Sequence, residues 1–168
     1  ISVERFRYGP RRFETLAYTG NMAQDAAGSI TRKLALASFM GAELSRSASA
    51  KGRFNPDVVH SHWWFPSGLV GATLTSGSRL PLVTTMHGTD VRMAKKVAVS
   101  RPLFRTVMRR SKIATTVSHW LKDEVKQLAP EANVIVAPMP VATEKFSPGG
   151  NREASRFLFA GRLNEQKG

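Results

Sequence analysis

Apolar and polar positions alternate at the start of the chain. Ile1, Val3, Phe6 and Tyr8 interleave with Arg5 and Arg7, which predicts a strand closed by Gly9-Pro10. Residues 11–29 show no period and read as a long loop. From Ile30 the period changes: Ile30, Leu34, Ala37, Met40, Leu44 and Ala48 recur at helical spacing, which predicts a helix over 30–50 with Gly52 as its stop. Asn55-Pro56 marks a turn, a short strand follows over 57–60, and Ser67 is placed to cap a helix running to about Thr75. Leu82 to Met86 is a β-branched apolar run and reads as a buried strand. A helix over 101–112 comes next, with Leu103, Phe104, Val107 and Met108 on its apolar face. A strand at 113–117 then leads to a helix opened by Ser118 and closed by Pro130, and Val134 to Val136 forms another strand. This rhythm predicts an α/β fold, a parallel sheet flanked by helices.

Composition narrows the picture. The 168 residues contain no cysteine, which excludes disulfides and thiolate metal sites. Lys and Arg outnumber Asp and Glu by 25 to 12, so the net charge of +13 favours anionic partners. Much of the excess lies in Arg92, Lys95, Lys96, Arg101, Arg105, Arg109, Arg110 and Lys112, a run without an intervening acid. A basic amphipathic helix of this kind can lie on an anionic bilayer, or it can turn a charged back to solvent while its apolar stripe faces the core. No apolar run approaches the roughly 18 residues of a membrane-spanning helix. The chain opens on Ile1 inside a strand pattern and closes at Gly168 where a helix should begin, so it reads as a piece cut at both ends.

The candidate chemistry gathers at predicted strand ends. His87, Gly88 and Asp90 follow the strand at 82–86, and open parallel sheets bind ligands at that carboxyl edge. His60 and His62 lie two apart at another strand end and, with His87, could supply three imidazoles to a metal ion. No G-x-S-x-G elbow, Walker loop or G-x-G-x-x-G occurs, and no opposed carboxylate pair stands out. Pro138, Pro140, Pro148, Gly149 and Gly150 punctuate a linker, after which a strand is predicted over 156–160. Beyond it, Gly161 permits a turn and Arg162 and Lys167 flank a helix start, an arrangement suited to a diphosphate.

Five strings stand in a recognisable order: D-V-V-H-S-H-W-W-F-P-S-G-L-V (57–70), P-L-V-T-T-M-H-G-T-D-V (81–91), T-T-V-S-H-W-L (115–121), P-M-P-V-A-T-E-K-F-S-P (138–148) and F-L-F-A-G-R-L-N-E-Q-K-G (157–168). Together they resemble the retaining sugar-nucleotide glycosyltransferases of glycosyltransferase family 4, which have the two-domain GT-B fold. The resemblance implies that residues 1–142 are most of an acceptor-side Rossmann-like domain. Residues 143–155 would be an interdomain linker, and 156–168 the start of a nucleotide-sugar domain. It implies that His87 borders the reacting sugar and that Arg162 and Lys167, with Gly161 in the turn, hold the donor diphosphate. His62, Asp90 and Ser118 would be acceptor contacts. The implied partners are a nucleotide-sugar donor and a glycan, lipid-linked or small-molecule acceptor, with an anionic membrane surface as a further expectation. No metal, cofactor or specific nucleic acid is expected. The implied location is cytoplasmic, peripheral at the inner face of the membrane.

The family's first strand and glycine-rich loop would precede Ile1, and its paired-glutamate motif would follow Gly168. Pro140 stands where the family commonly has glycine. The expectation is therefore a fragment inactive by itself, from a parent that is an enzyme. Two other readings explain single features: a metal-dependent hydrolase using His60, His62 and His87, and a non-enzymatic basic module binding anionic lipid or nucleic acid.

Overall fold

Four short strands, Val59–His62 (β1), Leu82–Met86 (β2), Ser111–Thr116 (β3) and Val134–Val136 (β4), form one sheet in the order β1-β2-β3-β4. Every pairing is parallel, with His62 beside Thr85, Thr85 beside Thr115 and Thr116 beside Val136. The structure is a computed structural model and describes residues 2–14, 16, 29–147 and 155–161. Its helices are Ile30–Phe54 (α1), Leu69–Leu74 (α2), Thr89–Lys96 (α3), Arg101–Arg110 (α4) and His119–Leu128 (α5). The α/β parallel-sheet expectation holds.

The strand order runs in one direction, so right-handed crossovers carry the connecting helices to the same face of the sheet. The core lies there: Leu82, Met86, Ala114 and Val134 from the sheet meet Val91, Phe104, Val107, Met108, Leu121 and Val125 from α3, α4 and α5. The opposite face carries His60, His62, Val83, Thr85, Ile113, Thr115 and Ile135 by register. Of these only Thr85 is buried, and Ile135 is 45% exposed.

Several boundaries differ from the sequence reading, each for a local reason. Residues 2–8 form no strand: Glu4 pairs with Arg46 and Arg53, the Tyr8 N–H donates to Glu14, and Phe6 and Tyr8 set their rings against Phe39 of α1. Helix α1 passes through Gly52 and stops at Asn55, whose left-handed backbone (φ 41°, ψ 61°) closes the last turn before Pro56. Its apolar stripe meets no core, because Ile30 and Leu34 are exposed and no residue of α1 is buried. Strand β1 sits two residues later than expected. Ser67 caps nothing; it lies in a tight turn, Trp64–Gly68, and its carbonyl accepts from the Ser61 hydroxyl. Leu103 is exposed beside the buried Phe104, Val107 and Met108. Residues 156–160 form no strand. By contrast β2 and β4 match, and the Ser118 hydroxyl caps α5 by accepting from the Leu121 N–H at 3.2 Å.

The helix α2 lies so close to the sheet that a Cβ on Gly71 would stand 2.5 Å from Ser61 Oγ and 2.8 Å from Leu82 Cδ1. Gly71→Ala is therefore expected to destabilise: overpacking costs about 1–3 kcal/mol, more than the ~1 kcal/mol that alanine contributes by helix propensity. Gly52, with nothing within 4 Å of its added Cβ, supplies the control. Gly52→Ala should raise the urea midpoint while Gly71→Ala lowers it.

Contacts divide the chain into two units, Ile1–Pro138 and Met139–Gly168. In the second unit, Thr143–Lys145 forms a short helical turn, and Phe157 and Leu158 are almost fully exposed.

Candidate functional site

The carboxyl edge of the sheet is built by β1 and β2 and the turns that leave them. Parallel register sets His62 beside Thr85, two residues before His87. The two imidazoles then meet: His62 Nδ1 lies 3.0 Å from His87 Nε2, and the rings stack with centroids 5.2 Å apart. One of these nitrogens carries the proton between them and the other accepts it. His60 tilts against His62 at 4.6 Å, and its Nε2 meets Thr85 Oγ1 at 2.8 Å. Thr85 continues the polar line to Thr115 Oγ1 at 2.6 Å. Burial, then the charge of His62, hold the His60 imidazole below its ordinary value.

His87 is fixed from behind. Gly88 adopts φ +112°, a left-handed conformation that suits glycine, and opens α3. The turn aims two backbone donors at Asp90 Oδ1: His87 N–H at 3.1 Å and Gly88 N–H at 2.9 Å. Asp90 is 1% exposed, so its carboxylate serves this loop from inside, and its Oδ2 has no partner. Its main-chain carbonyl accepts from Trp64 Nε1 at 2.7 Å. Trp64 is itself 1% exposed and meets Phe104 edge-on at 5.6 Å. Loop, helix start and core are thereby joined through one indole.

Burial pushes the Asp90 carboxyl above the usual carboxylate range, against the pull of the Gly88 and His87 N–H bonds. A raised folded pKa favours the protonated form in the native state. Its contribution to stability is complete below the unfolded value of 3.8 and is lost as pH rises through the folded pKa. Asp90→Asn does not titrate. The stability of the wild type minus that of Asp90→Asn is expected to fall from acid toward neutral pH in urea titrations; a difference that grows with pH would contradict this.

The other expected site residues are placed as follows. The Ser118 hydroxyl serves as the α5 cap, and the Ser118 carbonyl accepts from Thr116 Oγ1. Gly161 lies in a bend of the second unit, where an added Cβ would meet the Phe159 ring at 2.9 Å. Arg162 and Lys167 lie outside the described residues. The three-imidazole metal reading finds no support: His62 and His87 turn nitrogens toward each other, and His60 Nε2 turns to Thr85. Among the described residues no group of His, Cys, Asp or Glu is arranged to hold a metal ion. Sequence reasoning missed Trp64 as the joint of the site; its place beside a strand end was visible, but its partner lies 26 residues on.

A parallel α/β sheet with an imidazole pair at its carboxyl edge places those side chains where open α/β sheets bind ligands. Comparison with known proteins gives this fold a family. Glycosyltransferase Family 4 matches residues 15–145, and the chain belongs to it. A Bacillus subtilis protein named as a teichuronic acid biosynthesis glycosyltransferase (TuaC) is 27% identical over 128 residues, which are 67% of this chain and 32% of that protein. The N-acetyl-alpha-D-glucosaminyl L-malate synthase of Bacillus anthracis is 33% identical over 86 residues, 50% of this chain and 23% of the relative. This chain therefore covers at most about a third of the length of these relatives. Among solved structures, a sucrose-phosphate synthase from Thermosynechococcus elongatus superimposes with a TM-score of 0.54 at 14% identity, covering 84% of this chain and 65% of that one. That similarity extends to the fold, of GT-B type.

Proposed function

We propose that the whole protein moves a hexosyl group from a nucleotide-sugar donor to a hydroxyl acceptor with retention of anomeric configuration. The observation that carries the reading is the His62–His87 pair at the carboxyl edge of a family 4 sheet, held in place by Asp90. In the proposed reaction the bond from the sugar C1 to the diphosphate oxygen breaks. The acceptor oxygen bonds C1 from the same face, and its proton passes to the departing phosphate oxygen. His87 borders the reacting sugar and orients and polarises it. His62 fixes the His87 ring and forms the acceptor wall. Asp90 acts through the loop backbone and Ser118 through the start of α5. Arg162 and Lys167, following the turn at Gly161, hold the diphosphate, where fixed positive charge stabilises the leaving group. No metal or cofactor is needed for this chemistry. Residues 1–142 serve as the acceptor-side domain, 143–155 as linker and 156–168 as the opening of the nucleotide-sugar domain. The names of the two bacillary relatives support a glycan or a small hydroxy acid as the acceptor class. The test is a transfer assay of the whole protein with nucleotide-sugar donors, read by the anomeric coupling of the product. Retention is expected; an inverted product, or turnover that needs added metal, would overturn the mechanism.

The working place we propose is the cytoplasmic face of an anionic membrane. No helix among the described residues is long and apolar enough to cross a membrane. Support comes from Val97, Val99 (81% exposed) and Leu103, apolar side chains set among Lys95, Lys96, Arg101 and Arg105. Such a patch gains about 1 kcal/mol per cation near an anionic surface. Cosedimentation with vesicles of phosphatidylglycerol at low salt should decline on Val99→Asp. Equal sedimentation of the variant, or none by the wild type, would remove the membrane from the reading.

A further inference from the structure

On the sheet face away from the core, two hydroxyls and three imidazoles form one continuous line. Parallel register sets Thr115 beside Thr85 and Thr85 beside His62, with His60 two residues behind His62 on the same face. The register partner of His60 is Val83, yet its ring leans forward along the strand and its Nε2 meets Thr85 Oγ1 at 2.8 Å. That lean sets the ring against His62 at 4.6 Å and 34°. Among the described residues, the His62 ring is therefore held between two others, His60 on one side and His87 on the other. Thr85 is 8% exposed, so its hydroxyl depends on its protein neighbours for hydrogen bonds.

The hydrogens available decide the direction of this line. Two bonds, His60 Nε2 to Thr85 Oγ1 and Thr85 Oγ1 to Thr115 Oγ1 at 2.6 Å, compete for the single hydrogen that Thr85 owns. If His60 Nε2 donated, Thr85 would donate onward to Thr115, and the Thr115 hydrogen would have no acceptor among the described residues. If Thr115 donates to Thr85, then Thr85 donates to His60 Nε2 and both hydroxyl hydrogens are used. The second arrangement leaves no half-buried donor unmade. It requires a bare Nε2 on His60 and therefore a proton on Nδ1. The downward pull of burial, and then of His62, on the His60 pKa agrees with a ring held neutral. We propose that Thr85 is a positioning residue for the transfer reaction: its hydroxyl, backed by Thr115, locks His60 in the Nδ1–H tautomer and leans it against His62, so that the row of rings ending at His87 takes one geometry. The role rests on the reading above, in which His62 fixes the His87 ring. A neutral His60 gives His62 a packing surface without placing a like charge beside it.

Imidazole nitrogen NMR of the whole protein, isotopically labelled at histidine, tests the hydroxyl line without any assay of sugar transfer, so its failure leaves the functional reading standing. With the His60 signal assigned by its loss in His60→Gln, the wild type should show a protonated Nδ1 and a bare Nε2 on that ring. Thr85→Val has nearly the same shape without the hydroxyl and should release the ring to a mixture of both tautomers. Thr85→Ser should restore the wild-type pattern. An Nε2–H ring in the wild type, or a pattern that Thr85→Val leaves unchanged, would overturn the proposal. Kinetics of the whole protein supply the second readout. Thr85→Val should lower kcat about ten-fold with KM nearly unchanged, within the ~100-fold that a misplacement of about 1 Å can cost, and Thr85→Ser should recover most of the loss. Full kcat in Thr85→Val would overturn the positioning role. So would a loss that serine does not recover, because that outcome assigns Thr85 to packing alone. A wild type without transfer activity would sink the reaction reading and the role given to Thr85 with it, whatever the tautomer.

Discussion

His87→Ala is expected to lower kcat/KM for sugar transfer by the whole protein by about 10²–10³-fold, the loss seen when one aligned polar group is removed from a developing charge. Stability should change little, because the His87 ring is half-buried and its one side-chain partner is His62. The group of His87 that engages Asp90 is its backbone N–H, and alanine keeps it. His62→Ala should give a smaller loss, since in the proposed reaction His62 fixes the His87 ring and does not itself polarise the sugar. The pair can be separated by a cycle: if His62 works only by positioning His87, then His62→Ala has no further effect once His87 is alanine. Additive losses in the cycle would contradict the positioning role.

The sheet itself was legible because burial on both faces, or on one, leaves a run of β-branched residues. Leu82–Met86 and Val134–Val136 have this form, and the observed strands coincide with them. The Ser118 cap was legible because a hydroxyl ahead of a helical period has a single local task. Ser2 to Tyr8 misled for a physical reason: alternation reports which residues share a side, while a ladder needs a neighbour. In this unit the segment finds α1 instead, through Phe39, Arg46 and Arg53. Gly52 misled because an open helix surface tolerates glycine, and the stop came from Asn55 and Pro56. The candidate site divided in the same way. Delivery of His62 and His87 to strand ends was readable; their contact was not, since it depends on β1 and β2 being neighbours in a given register. Asp90 was readable as a carboxylate near a strand end. Its inward turn follows from Gly88, whose positive φ presents two N–H groups to one oxygen.

Trp64→Ala is the variant from which we expect the largest loss of stability. The side chain is 1% exposed, fills the space between the turn after β1 and α4, and meets Phe104 at 5.6 Å. Truncating a buried tryptophan costs about 3–5 kcal/mol, and losing the Nε1 hydrogen bond to the Asp90 carbonyl adds about 1 kcal/mol. Against a total of about 5–15 kcal/mol for a domain, this is about a quarter of the stability or more. For a chain of this size the loss corresponds to a fall in Tm of about 8–24 °C. Trp120, which is 65% exposed, is the control, and Trp120→Ala should stay within about 0.5 kcal/mol of the wild type. Trp64→Phe divides the effect: it keeps the contact with Phe104 and removes the donor to Asp90. Because Asp90 holds the His87 loop, Trp64→Phe should also cost transfer activity at temperatures where the variant is fully folded. Calorimetry and activity measured on the same sample decide this. A Trp64→Phe protein that melts lower yet retains full kcat/KM would show that the indole supports the core alone and has no part in holding His87.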